Sequence, residues 1–287
     1  MMDAAPGSET VIAASNVTHV FGTPGDDRSV TALDDVSIDI VRGEMLCLIG
    51  PSGCGKSTLL NIIGGLITQT GGDVHIGGNR VEGPMPKDVA FVFQESALFP
   101  WNTVVDNIKV GLEFQGVAAQ EREQRAWNAL EAVGLADFGH HFPGQISGGM
   151  KQRAQLARAL SLETEILLMD EPFGALDEQT RMILGEDLSV MLSKTDKTIV
   201  FVTHSLAEAV FLADRVAVMT ARPGKFKKIL DVGESHPRNP DFMMSEKFNG
   251  LRNELYAMLH DEIRKAVEGE EKQTAATKAV TGGRDEQ

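Results

Sequence analysis

Short apolar runs closed by glycine or polar turns alternate along this chain with longer stretches whose apolar residues recur on one helical face. Residues 10–49 read as strand-like runs, interrupted by the loop Gly22-Thr23-Pro24-Gly25-Asp26-Asp27. Met45–Ile49 differs from its neighbours because it is apolar throughout and ends at Gly50, the pattern of a parallel strand buried on both faces. Helical sequence begins at Lys56. Residues 71–93 return to strands, with Gly71-Gly72 and Gly77-Gly78 as turns. From 103 to 162 the spacing is mostly helical, and 120–133 sets Ala126, Leu130 and Val133 on one face. Ile166–Asp170, 198–203 and Arg215–Met219 are further short strands, and a last helix is expected over 250–267. Strand and helix in alternation imply an α/β fold, a parallel sheet with helices on its faces, interrupted by a helical block at 95–163. The reading divides the chain into a domain at 10–235, a helical extension at 236–267 and a disordered tail at 268–287.

Chemistry enters at the end of the apolar strand. Gly50-Pro51-Ser52-Gly53-Cys54-Gly55-Lys56-Ser57-Thr58 fits the phosphate-loop pattern G-x-x-x-x-G-K-[ST] in its required context, after a strand and before a helix. Such a loop wraps phosphates with backbone N–H groups at the positive end of a helix. Lys56 can then reach phosphate oxygens, and the Ser57 hydroxyl can ligate Mg²⁺. Cys54 lies within the loop, so its alkylation is expected to block nucleotide binding.

A second apolar strand delivers Asp170 and Glu171 in Glu165-Ile166-Leu167-Leu168-Met169-Asp170-Glu171-Pro172. Open α/β sheets place ligands at such strand ends, where one carboxylate can hold a metal's water shell and the other can polarise an attacking water. Ile146-Ser147-Gly148-Gly149-Met150-Lys151-Gln152-Arg153 opens a patterned helix with a serine and two uncrowded glycines. By itself that segment reads as a helix cap. Beside a phosphate loop it offers a second set of free N–H donors for phosphate oxygens.

Composition removes other classes. A net charge of −14, from 27 Lys plus Arg against 41 Asp plus Glu, and the lack of a basic stripe argue against nucleic acid and anionic lipid as partners. Cys47 and Cys54 form neither a zinc pair nor a disulfide framework, and His140-His141 reads as solvated loop. No apolar run approaches the roughly 18 residues of a spanning helix, and residues 1–10 carry no basic signal. A cytosolic protein whose membrane association goes through a partner is expected.

In order, the phosphate loop, Gln94, Ser147-Gly148-Gly149, Asp170-Glu171, Ala175-Leu176-Asp177 and Thr203-His204 resemble the nucleotide-binding subunit of an ATP-binding-cassette (ABC) transporter over about residues 10–235. The resemblance implies a P-loop NTPase (ABC ATPase) fold with a mixed, mainly parallel sheet core, an antiparallel β subdomain and an inserted α-helical subdomain. It implies ATP and Mg²⁺ as ligands. Lys56, Ser57 and Thr58 would hold the triphosphate and metal, with Asp170 and Gln94 also on the metal. Glu171 would be the general base and His204 would contact the γ-phosphate. Asp177 would lie by the nucleotide, and Phe21 would stack on adenine. Phe21 stands where the family more often has Tyr, and Ile146 where it has Leu; both changes keep the physical property required.

Phe99-Pro100-Trp101-Asn102-Thr103-Val104-Val105-Asp106-Asn107, Gly148-Gly149-Met150-Lys151-Gln152-Arg153, Phe173-Gly174-Ala175-Leu176-Asp177, Arg222-Pro223-Gly224 and His236-Pro237-Arg238 are similar to importers of nitrate, sulfonate, taurine and related small anions. Trp101 reads either as a buried core aromatic or as part of the groove that receives a permease helix. The resemblance further implies a head-to-tail dimer, in which Ser147, Gly148 and Gly149 of one copy face the ATP held by Lys56 of the other. Membrane permease subunits and, indirectly, an extracytoplasmic solute-binding protein would be the partners, placing the chain at the cytoplasmic face of a membrane. An ATPase driving export or lipoprotein extraction, and a soluble ABC ATPase, remain as alternatives.

Overall fold

The computed structural model describes residues 9–23, 26, 29–174, 178–193 and 195–282, with side chains as far as 267. Two sheets share the work of holding the chain. Strands β1 (Thr10–Phe21), β2 (Val30–Val41), β4 (Gly71–Ile76) and β5 (Asn79–Arg80) form an antiparallel sheet of order β2-β1-β4-β5. Strands β3 (Met45–Ile49), β6 (Val89–Val92), β7 (Ile166–Asp170), β8 (Thr198–Val202), β9 (Arg215–Met219) and β10 (Phe226–Asp231) form a second sheet of order β10-β9-β3-β8-β7-β6. Every pair in it is parallel except β10 with β9.

The apolar runs of the central strands follow from burial on both faces. Met45, Cys47 and Ile49 of β3 join one core cluster, whereas Leu46 and Leu48 join the other. β8 divides in the same way, with Ile199 and Phe201 on one side and Val200 and Val202 on the opposite side. Side chains alternate across a strand, so only an uninterrupted apolar sequence can serve two cores. Helix α1 (Lys56–Ile63) fills the space between the sheets with Leu59, Leu60, Ile62 and Ile63, packed among Ile12, Val17 and Val74 of the antiparallel sheet. Leu48 is fully buried, and its truncation to Ala should cost about 2–5 kcal/mol.

Helices α2 (Val104–Phe114), α3 (Ala119–Ala132) and α4 (Gly148–Ser161) make the inserted helical block, with its own core around Ile108, Leu112, Ala126, Leu130 and Ala154. Thr103 caps α2 by accepting from Asp106 N at 3.2 Å. Ser147 caps α4 by accepting from Met150 N at 3.3 Å. Helices α5 (Glu178–Leu192) and α6 (Leu206–Leu212) flank the central sheet.

The carboxyl-terminal part departs from the sequence reading. β10 was not expected, because Lys227 and Lys228 break the apolar pattern; both are exposed on an edge strand. Helix α7 runs over Glu246–Gly282, beyond the 250–267 expected, and through most of the segment read as a disordered tail. Glu, Lys, Gln and Ala dominate that stretch, and all have good helix propensity. Among the described residues no helix is long and apolar enough to cross a membrane.

Candidate active site at the carboxyl ends of the parallel strands

Adjacent strands β3, β8, β7 and β6 all end on one side of the sheet, and each releases a polar segment there. The loop after β3 turns into α1 at Gly55, whose φ of 107° suits glycine. A side chain at Gly55 would also meet Leu33 Cδ2 at 2.7 Å and Ala32 O at 2.8 Å. No side chain caps α1, so its first N–H groups are left for a ligand. Lys56 is buried and donates to Gly50 O at 3.0 Å and Pro51 O at 2.9 Å, lying back along its own loop.

Ser57 Oγ donates to Asp170 Oδ1 at 3.1 Å, joining the start of α1 to the end of β7. Burial pushes the Asp170 carboxyl above its ordinary range, while the Ser57 hydrogen bond pulls it back. Glu171 follows with φ 47°, a left-handed conformation uncommon outside glycine. Its backbone N–H donates to Val202 O at 3.0 Å, which fixes the residue against β8. Gln94, just after β6, donates Nε2 to Glu171 Oε2 at 2.9 Å. His204, just after β8, brings Nε2 within 2.5 Å of Glu171 Oε1. One carboxylate is thus gripped from both sides by residues distant in sequence.

These groups surround a cleft of about 580 Å³ lined by Phe21, Lys56, Thr58, Gln94, Glu171 and His204, with Ser52, Gly53, Gly55 and Ser57 on its phosphate-loop side. Phe21 is 45% exposed at its rim and rests edge-on against His19, with ring centroids 4.5 Å apart. Chemically, the cleft combines unpaired backbone donors, one ammonium, one hydroxyl–carboxylate pair and a second carboxylate held by an amide and an imidazole. That set can hold a polyphosphate and polarise a water beside it. Hard oxygen donors such as Ser57 and Asp170 suit Mg²⁺, which takes few protein ligands alongside phosphate oxygens. No group of three or more His, Cys, Asp or Glu residues among those described could hold a metal unaided.

The residues picked from sequence separate into distinct outcomes. Phe21, Ser52, Gly53, Gly55, Lys56, Ser57, Thr58, Gln94, Glu171 and His204 line one cleft, with Asp170 bonded directly behind Ser57. Ser147, Gly148 and Gly149 are not among its lining residues. Asp177, with Ala175 and Leu176, lies outside the described residues. Cys54 is fully buried, and burial raises its thiol above the usual range. The expectation for alkylation therefore narrows: a reagent reaches Cys54 only when the loop opens. Trp101 is 71% exposed, which excludes the core-aromatic reading. His140 is exposed as expected, but His141 is half-buried against Phe138.

Sequence reasoning missed three contributors. Arg222, from the turn after β9, lines the cleft and donates Nε to Gly53 O at 3.0 Å. Gln155 of α4 is fully buried and spans the segment carrying Gln94, donating to Phe93 O at 2.9 Å and accepting from Ala97 N at 3.2 Å. Arg158 donates to Ala97 O at 2.9 Å from the next turn of the same helix. Two glutamines, Gln152 and Gln155, among the alanines and leucines of α4 were the available signal.

A phosphate loop after the central parallel strand β3, facing acids at the end of β7 with β8 between the two, defines a P-loop nucleotide-binding cassette. The ABC transporter family profile matches residues 33–174. The uncharacterized ABC transporter ATP-binding protein MJ0412 of Methanocaldococcus jannaschii is 44% identical over 256 residues, covering 89% of this chain and 94% of that protein. The taurine import ATP-binding protein TauB of Rhizobium johnstonii is 43% identical, covering 86% of this chain and 97% of that one. The nitrate import ATP-binding protein NrtD of Synechocystis sp. is 41% identical, with 89% and 94% covered. Among solved structures, the ATP-binding cassette MJ0796, in a dimeric post-hydrolysis state bound to ADP and Pi, superposes with a TM-score of 0.70 at 31% identity. That match covers 78% of this chain and 100% of the cassette. The chain belongs to the ABC transporter family and is an ATP-binding ATPase of that family.

Proposed function

We propose that this ATPase powers uptake of a small anionic solute of the nitrate, sulfonate or taurine kind through a separate membrane permease. The names of the similar taurine and nitrate import proteins support the solute class. The exposed Trp101 beside Phe99 and Pro100 supports a docking surface for the permease. Solute recognition belongs to other chains, including an extracytoplasmic binding protein, and the cassette works at the cytoplasmic face.

The observation that carries the chemical reading is the grip of Gln94 and His204 on Glu171, beside the Ser57–Asp170 pair. In this reading Glu171 accepts a proton from the attacking water, and His204 steadies that water against the γ-phosphate. Lys56 leaves its loop carbonyls for phosphate oxygens. Phe21 offers its face to adenine. Ser57, Asp170 and Gln94 would hold Mg²⁺, which neutralises phosphate charge when bound. Ser147, Gly148 and Gly149, which do not line the cleft of their own chain, serve the nucleotide of a second copy in a head-to-tail pair. Similarity to a dimeric cassette supports that pairing.

The test is reconstitution of the complex from the co-purifying membrane and binding proteins, with ATPase activity read against a panel of anions. Stimulation by a bound sulfonate, nitrate or related anion is expected. Co-purification with an exporter-type membrane protein and no binding protein would overturn the import reading.

A further inference from the structure

The Arg222-Pro223-Gly224 turn is built against the phosphate loop, and the roles given above leave it unused. Gly224 N donates to Ala32 O at 2.9 Å and Gly224 O accepts from Asp34 N at 3.1 Å, so the turn rides on β2. A side chain at Gly224 would fall 2.0 Å from Cys54 O, which places the turn's backbone directly on the phosphate loop. From there Arg222 reaches into the cleft and spends Nε on Gly53 O. Its two terminal nitrogens have no protein partner among the described residues.

The turn is also tied from behind. Ala221 N donates to Glu262 Oε2 of α7 at 3.0 Å. Glu262 Oε1 meanwhile takes Lys227 Nζ at 2.9 Å and Lys265 Nζ at 2.8 Å. The Glu262 side chain is only 2% exposed. Burial opposes its ionisation, but the bonds from Lys265, Lys227 and Ala221 outweigh it and hold the carboxyl down at about 2. A charged, fully bonded carboxylate therefore fixes the turn that carries Arg222.

Lys56 is a compact point charge at the base of the loop, whereas a guanidinium with free terminal nitrogens presents a planar fork that matches phosphate oxygens. It bonds Gly53 and shares the cleft lining with the loop residues Ser52 and Lys56. We propose that Arg222 binds the polyphosphate of the nucleotide in this cleft, and that Glu262 of the carboxyl-terminal helix is the positioning residue that aims it. This deepens the ATPase reading and rests on it. The carboxyl-terminal helix thereby contributes to nucleotide affinity without touching nucleotide.

The experiment is titration of the full chain with Mg-ATP, Mg-ADP and adenosine, alongside steady-state ATPase kinetics. Arg222→Ala should weaken Mg-ATP binding about tenfold, the loss of roughly one charge-assisted contact. It should raise KM with little change in kcat and leave adenosine binding unaltered, while Arg222→Lys recovers part of the loss. Glu262→Gln should raise KM in the same way, Glu262→Asp should restore part of it, and the Arg222→Ala, Glu262→Gln double variant should be no worse than Arg222→Ala alone. Mg-ATP affinity within twofold of the parent for Arg222→Ala would overturn the proposal, as would an equal loss of adenosine binding. The exposed Arg222 variant is decisive even if Glu262→Gln does not fold. Lys56→Ala separates the two levels: normal binding by Arg222→Ala with binding lost in Lys56→Ala sinks this inference alone. Absence of ATP binding in the parent chain sinks the ATPase reading itself.

Discussion

The starts of α1 and α4 are both glycine-rich helix N-termini, yet they sit in opposite chemical surroundings. Around α1, the ends of neighbouring strands converge to deliver Gln94, Asp170, Glu171 and His204. The start of α4 is open: Ser147 and Gly148 are exposed, and among the described residues no atom beyond its own helix and chain neighbours lies within 4 Å of where a Gly148 side chain would begin. Ser147 bonds back to its own Met150 N. Backbone donors alone can bind an anion but have no group with which to polarise water. The difference teaches that one half of the chemistry is complete in acids and bases but open on one face. The other half is a set of donors outside the lining of that cleft, and in the proposed head-to-tail pair a second copy would supply what each lacks.

The largest effect should come from the convergent side. Glu171→Gln keeps the size of the side chain and one of its two acceptor oxygens but loses the proposed base, so turnover should fall by about 10²–10⁴ while Mg-ATP binding persists. Unchanged turnover in a steady-state assay would remove Glu171 from its role. On the isolated side, Ser147→Arg fills the space above the first turn of α4. Hydrolysis should drop by about 10²–10³, the scale of a lost transition-state donor, with ATP binding by separated chains intact. Normal hydrolysis in that variant would mean that the α4 terminus is only a cap.

Gln155 joins the two regions, because it sits on α4 and grips the segment that carries Gln94. Gln155→Leu leaves Phe93 O and Ala97 N without their partner and should cost about 1–3 kcal/mol in a urea melt. Turnover should fall further than ATP affinity. A stable variant with full turnover would show that the two regions are not mechanically joined there.

The carboxyl-terminal helix adds a pH dependence that leaves the chemistry itself untouched. The folded Glu262 carboxyl lies at about 2, below its ordinary 4.5, so the unfolded chain binds more protons and stability from this group rises with pH. That contribution is fully present above 4.5 and is lost as pH falls toward 2. Thermal melts of the parent and Glu262→Gln should therefore differ near neutrality and converge in acid. A gap unchanged between neutral and acidic pH would contradict the assignment.

Local demands were legible in the sequence and distant ones were not. The segment 50–58 announces itself because a phosphate loop constrains consecutive residues, and Asp170-Glu171 because a doubly buried strand must be apolar up to its end. Trp101 could be read two ways until its exposure was known, since an aromatic in a loop fits either a core or a docking face. Arg222 meets Gly53 across a separation of 169 residues, and Gln155 meets Phe93 across 62, contacts that no periodicity encodes. β10 escaped because an edge strand needs only one apolar face, and Lys227 and Lys228 hid it.

In the proposed pair, the α4 terminus serves the nucleotide of another copy. Sedimentation of the Glu171→Gln chain with and without Mg-ATP tests it most directly, run beside the Glu171→Gln, Ser147→Arg double variant at matched nucleotide occupancy. The single variant should form an ATP-dependent dimer and the double variant a nucleotide-loaded monomer. Equal ATP-driven dimerisation of both would contradict it.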